Sequence, residues 1–345
     1  MLSLRLYGKG DIRLEETDIP RIAENEILIK TKAAAICGTD VRMWASGVKN
    51  VCNGRPLTLG HEFSGEIVGV GRNVRFYKIG MRVGMQPNIG CGLCDRCATG
   101  NSHLCDGYKA FGINIDGAFA EYVRVPGDGV AHGNLTVLPE GISDEEASLC
   151  EPLSCAYNGF GKCFVKPGEK ALVVGAGPIG AMHAKLLNMA GAIVMMNDIS
   201  KERLDVCKGI MPFIKTYHGD GLEAFVSEQT GGRGLDIAIA ACPVPSVQAA
   251  LPSLMNYGGR INFFGGVPEE MQPVAIDTNL VHYRELYLTG STRSSIIQFR
   301  KAVELVADDL IGLEDLITHK YRLNEANEAF DNAKQAKGLK HVIIF

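Results

Sequence analysis

From about residue 145 to residue 290 the apolar positions switch between two rhythms. Short, mostly unbroken apolar runs, Ala171–Val174, Ile193–Met196, Asp236–Ala241, Arg260–Phe264 and Leu286–Thr289, read as strands buried on both faces of a parallel sheet. Between them lie stretches with apolar residues at helical intervals: Asp144 to roughly Phe164, Pro178–Ala190 and Val247–Asn256. Ser295–Ala307 and Glu325–Ala336 continue the helical rhythm, and His341–Phe345 is expected as a last strand. Residues 1–148 have another texture. Glu26–Lys32, Ser64–Gly69, Arg82–Met85 and Ala120–Val125 read as strands separated by Gly, Pro and Asn turns, with no long helical pattern before residue 145. The expected fold is therefore α/β: a Rossmann-type doubly wound parallel sheet over 149–290, set into a β-rich domain formed by 1–148 and 291–345.

The first of those strands runs into Gly175, Gly177 and Gly180 at G-x-G-x-x-G spacing, and the next ends at Asp198. Strand, glycine turn, helix, strand and terminal acid together form the context that a dinucleotide fingerprint requires. Gly175 allows the tight turn, Gly177 lets backbone approach a pyrophosphate, and Gly180 lets helix and strand pack closely. Pro178 and Ile179 open the helix, whose free N–H groups and dipole favour phosphate. Asp198 is placed to accept from both ribose hydroxyls and would repel a 2′-phosphate, which favours NAD over NADP. Lys201 and Arg203 weaken that preference without reversing it. The bland alternative, an ordinary glycine turn, leaves the paired strands and the acid unexplained.

Bulk properties narrow the classes. A length of 345 residues suits two domains, and 46% hydrophobic with 21% charged residues is the balance of a soluble globular protein. A net charge of −4 gives no reason to expect nucleic acid or an anionic membrane as partner. No signal peptide is expected from MLSLRLYGKG, and no apolar run approaches the ~20 residues of a membrane span. Eleven cysteines, an odd number, point to reduced thiols in the cytoplasm.

Four of the cysteines stand out. Cys91, Cys94, Cys97 and Cys105, in a lobe of about residues 88–108, have the spacing to share one tetrahedral ion, and four sulfurs leave no open position. A structural zinc site is the reading, with an iron–sulfur cluster as competitor; His103 is taken as surface. A looser set comprises Cys37, His61, Glu62 and Glu151: sulfur, nitrogen and carboxylate, the mixture that catalytic zinc keeps with one position open. Taken singly, each has an ordinary structural reading, and spacing alone does not join them. The remaining histidines, His183 among them, are read as surface or satisfied core.

Gly60-His-Glu-Phe-Ser-Gly65, Cys37-Gly-Thr-Asp40, the four-cysteine lobe and Val174–Gly180 occur in the order, and at about the spacings, of a known family. Along its whole length the chain resembles the zinc-dependent medium-chain dehydrogenases, in particular their polyol and threonine dehydrogenase branch. The resemblance implies a GroES-like catalytic domain around the Rossmann domain, and a homodimer or homotetramer. It implies catalytic zinc on Cys37, His61 and Glu62, with Glu151 ligating directly or through water. It also gives Thr39 the role of relay hydroxyl, with a turn residue as the alternative. Many relatives have a histidine where this chain has Arg42, which does not release a proton near neutral pH. Arg42, Lys49 and Arg55 fall in the segment that lines the substrate cleft in such enzymes, and Arg293 resembles a substrate-side arginine. These cations suit a phosphate or carboxylate, though a solvated basic loop would look the same. Trp44 is expected either to wall the cleft or to sit in the core. The expected activity is zinc- and NAD-dependent oxidation of a secondary alcohol on a polyol, sugar acid or sugar phosphate. A hydroxy-amino acid such as threonine is the alternative substrate, and a non-catalytic NAD(H) sensor the alternative of another class.

Overall fold

The computed structural model describes residues 1–47 and 55–345. The chain forms two compact units, one made of Met1–Ser154 with Ser294–Phe345 and the other of Cys155–Arg293.

The second unit holds a six-stranded, all-parallel sheet. Its order is Lys215–Tyr217, Ile193–Asn197, Lys170–Val174, Leu235–Ala240, Met255–Phe263, Tyr287–Gly290. Strand order reverses beside Lys170–Val174, which makes the glycine turn after Val174 a topological switch point, where ligands of such sheets bind. Ala171, Leu172 and Val173 are fully buried, which explains why this strand reads as an unbroken apolar run rather than an alternation. The helices Pro178–Met189, Lys201–Ile210, Leu222–Thr230 and Pro245–Leu254 alternate with the strands. Several boundaries differ from expectation by a few residues, the most at one helix-to-strand junction. The helix expected to reach Asn256 ends at Leu254, and the strand expected from Arg260 begins at Met255.

In the first unit a sheet runs Leu135–Val137, Arg82–Met85, Glu62–Val70, Ile27–Ala35, Lys340–Ile344, Ile317–Arg322, with Tyr122–Val125 also pairing Ile27–Ala35. Its register positions the chemistry. Ala35 pairs with Glu62 on one side and with Val342 on the other. Three chain segments far apart in sequence therefore leave the sheet at one corner. Several elements of this unit were not expected, among them the strands Leu135–Val137 and Ile317–Arg322. Leu2–Gly8 and Asp11–Glu16 form an antiparallel hairpin whose outer strand, DIRLEE, is too charged to read as buried. Gly38–Ser46 is a helix of nine residues, started by a local capping arrangement and not by apolar periodicity.

Candidate active site and metal centres

Cys37 ends the loop after Ile27–Ala35 and acts as N-cap of the Gly38–Ser46 helix. Its sulfur accepts from the Thr39 amide at 3.4 Å, while the Asp40 carboxylate accepts from the Cys37 amide at 2.9 Å. Asp40 is fully buried and reaches further: its other oxygen accepts from Gly60 N–H at 3.3 Å and lies 3.5 Å from His61 Nδ1. One carboxylate thus fastens the Cys37 turn to the His61 turn. Ligand atoms of Cys37, His61 and Glu62 lie within 4.8 Å of one another. Burial alone would push the His61 imidazolium down, but the charges of Asp40 and Cys37 hold it well above its ordinary range. Glu62 is 1% exposed and forms a buried ion pair with Lys340, which is 3% exposed and also donates to Ile36 O at 2.9 Å. Burial opposes the charge on Lys340, and Glu62 first, then Cys37, restores it. Cys37, His61 and Glu62 thus bring one sulfur, one nitrogen and one carboxylate together beside Asp40 and Lys340. This donor set of sulfur, nitrogen and oxygen fits zinc.

Glu151 stands on the Asp144–Gly161 helix, buried, and is not a member of that 4.8 Å group. Thr39 is half-buried, and its hydroxyl accepts from Arg42 Nη2 at 3.3 Å. Arg42 and Arg55 are exposed, whereas Lys49 lies outside the described residues. Trp44 is half-buried, edge-on to Phe330 at 5.8 Å, with Lys334 Nζ 5.0 Å above its ring. Arg293 has a left-handed backbone, φ +54°, and its carbonyl accepts from Asn158 Nδ2 at 3.0 Å. Asp40 and Lys340 were not expected at the site. The capping spacing of Cys37 and Asp40 was visible in the sequence. Nothing local marked Lys340, which meets Glu62 across 278 positions.

The four lobe sulfurs, Cys91, Cys94, Cys97 and Cys105, also fall within 4.8 Å of one another. Backbone N–H groups of Leu93, then Cys94, hold the Cys91 thiol down at about 6, whereas burial pushes the Cys97 thiol up to about 12. The lobe is built around sulfur: a Cβ on Gly90 would lie 2.6 Å from Cys97 Sγ. His103, expected at the surface, is 4% exposed, within the short helical turn Ser102–Leu104.

In the other unit Gly175 takes φ +116°, a Cβ on Gly180 would lie 1.8 Å from Gly175 O, and one on Gly177 would meet only Arg203 Nη1 at 4.0 Å. The first two glycines are thus forced by turn and packing, and the third leaves an open approach. Gly177 caps the twelve-residue helix that Pro178 and Ile179 begin, without a side-chain hydrogen bond to its amides. That open turn and helix start fit a pyrophosphate. Asp198 Oδ2 accepts from Ala176 N–H at 2.6 Å and Oδ1 from Ser200 N–H at 2.7 Å. Each oxygen keeps a second lone pair for a ribose hydroxyl. Arg203 lies in the first turn of the Lys201–Ile210 helix, and Lys201 is paired with Asp205 at 2.8 Å. His183, expected at the surface or satisfied in the core, is fully buried with neither ring nitrogen hydrogen-bonded. It packs edge-on to Phe264 at 5.0 Å on the apolar side of its helix.

Known proteins share this architecture. The family described as alcohol dehydrogenase GroES-like domain matches residues 23–135, and the family described as zinc-binding dehydrogenase matches residues 178–308. An L-threonine 3-dehydrogenase of Vibrio cholerae is 34% identical over 336 residues, covering 95% of this chain and 94% of that protein. Among solved structures, a short-chain alcohol dehydrogenase of Escherichia coli CFT073 complexed with NADH superposes with a TM-score of 0.90 at 26% identity, over 100% of this chain and 99% of that one. Galactitol-1-phosphate dehydrogenase of Escherichia coli superposes with a TM-score of 0.88 at 25% identity, over 100% of both chains.

Proposed function

As a member of the zinc-binding dehydrogenase family this chain is an oxidoreductase that works with zinc and NAD(H), and we propose that its substrate is a 2-amino-3-hydroxy acid of the L-threonine type. The observation that carries the chemistry is the convergence of Cys37, His61 and Glu62 within 4.8 Å. The end-to-end similarity to an L-threonine 3-dehydrogenase turns the substrate toward a hydroxy-amino acid.

In this reading Cys37, His61, Glu62 and Glu151 hold the catalytic zinc, and Cys91, Cys94, Cys97 and Cys105 a structural one. Zinc supplies a Lewis acid toward the substrate oxygen, and NAD supplies the hydride acceptor. Gly175, Gly177 and Gly180 shape the phosphate cradle, with Arg203 beside it and Asp198 on the ribose. The secondary alcohol loses a hydride from carbon and a proton from oxygen, leaving a ketone. Thr39 Oγ takes part in the proton's exit. Arg42 keeps its charge and cannot continue that relay; it orients Thr39 and offers its other N–H groups to a carboxylate. Arg293 is a second candidate for the substrate's anionic end.

A polyol, sugar acid or sugar phosphate is the second reading, favoured by the same arginines and by the likeness to galactitol-1-phosphate dehydrogenase. A panel of L-threonine, sorbitol, aldonates and polyol phosphates, followed by NADH formation, tests both. The threonine reading expects the highest kcat/KM on L-threonine, and a higher value on a polyol phosphate would replace it. Tight NADH binding with no turnover on zinc-loaded protein would leave only the sensor reading. We also place the chain in the cytoplasm, where its free thiols would persist, as a homodimer or homotetramer. The exposed edge strand Tyr287–Gly290 supports pairing with a second copy.

A further inference from the structure

The Asp144–Gly161 helix contains a proline at the position after Glu151. Pro152 has no N–H, so the Ser148 carbonyl loses its helical donor one turn back. The backbone ladder is thus weakest where the acid must be aimed. Two serines bracket the gap. Ser148 Oγ donates to Glu145 O and Ser154 Oγ donates to Glu151 O, each at 2.6 Å. Ser154 is fully buried, and its hydroxyl lies 2.6 Å from Ser294 Oγ. Since the Ser154 proton goes to Glu151 O, Ser294 is the donor in that pair. Ser294 is anchored in turn by Gln86, whose Nε2 donates to Ser294 O at 2.6 Å. Gln86 does not swing: its Oε1 accepts from Asn88 N–H at 2.9 Å and from Asn134 Nδ2 at 3.1 Å. Every side chain in this chain of contacts is buried, so each link is made in low dielectric, and a lost partner would be costly.

We propose that Ser154 is a positioning residue for Glu151, and that the buried run Gln86–Ser294–Ser154 sets the helix turn on which that carboxylate stands. The inference rests on Glu151 being an acid of the metal site. Nothing in the run touches substrate, so its effect passes through the affinity and geometry of the mixed site.

The test uses full-length, zinc-loaded protein with Zn2+ itself as probe. Chelator competition gives the affinity of the weaker of two metals, beside thermal stability. Ser154→Ala is expected to weaken Zn2+ at the mixed site about tenfold while the four-cysteine metal stays bound. Ser294→Ala is expected to weaken it in the same direction, and it decides the matter if Ser154→Ala does not fold. Glu151→Ala should also weaken it, and adding Ser154→Ala to Glu151→Ala should change nothing more. A Ser154→Ala protein that loses thermal stability but keeps wild-type Zn2+ affinity would overturn the proposal. So would losses that multiply in the double variant, or an unchanged affinity in Ser294→Ala. Wild-type affinity in Glu151→Ala itself would overturn the assignment of Glu151 and this proposal with it, a result separate from failure of the serine variants alone.

Discussion

At the scale of single residues, the site is held by two groups whose work is electrostatic. Asp40 spends both oxygens on the Cys37 and Gly60 amides, and Lys340 neutralises Glu62 in the interior. Removing one member of a buried pair leaves the other charge unsolvated, which costs about 3–5 kcal/mol. Lys340→Met is therefore expected to destabilise the zinc-free protein by about that amount in calorimetry, and Lys340→Arg by less. A loss below about 1 kcal/mol would show that the pair behaves like a surface one. The candidate metal residues were legible in the sequence to unequal degrees. Four cysteines within fifteen positions announce themselves, because their ligand geometry is local. The Cys37, His61 and Glu62 set was joined only through family resemblance, and Lys340 was not seen at all. Its partner is defined by strand register, which a linear reading does not contain.

At the scale of elements, apolar rhythm served where burial is two-sided and failed where it is marginal. The parallel strands stood out because they are covered on both faces. The Leu2–Glu16 hairpin and the Gly38–Ser46 helix did not, since one has a charged outer strand and the other owes its start to a capping box. The Pro178–Met189 helix carries a cost invisible to rhythm. His183 lies on its buried side, where burial pushes the imidazolium down to about 3. The unfolded chain takes up a proton near pH 6.5 and the folded chain does not. Stability is thus full above about pH 6.5 and declines as pH falls below it, by about 1.4 kcal/mol per unit. Between pH 6.5 and 5 wild type is expected to lose about 2 kcal/mol more than His183→Leu. Parallel acid limbs in denaturant titrations of the two proteins would refute that origin.

At the scale of the whole molecule, the six-stranded sheet ends in Tyr287–Gly290, where Tyr287 is 61% exposed and Leu288 38%. Together with Tyr283, 73% exposed, this is an apolar, unpaired edge of the kind that natural proteins usually cover. If two copies meet there, Leu288→Lys will shift the mass measured by light scattering toward the monomer and leave NADH affinity unchanged. An unchanged mass would place the assembly contact elsewhere. No helix among the described residues is long and apolar enough to cross a membrane.

The interleaving of the two units has a consequence for how the protein is made. Cys155–Arg293 is one uninterrupted segment, whereas the other unit waits for Ser294–Phe345, and Lys340 rides on its closing strand. During synthesis Cys155–Arg293 is complete while the other unit still lacks its last two strands, Ile317–Arg322 and Lys340–Ile344, and the cation that offsets Glu62. A ribosome-bound nascent chain should therefore be able to recognise dinucleotide before it can retain zinc at the mixed site.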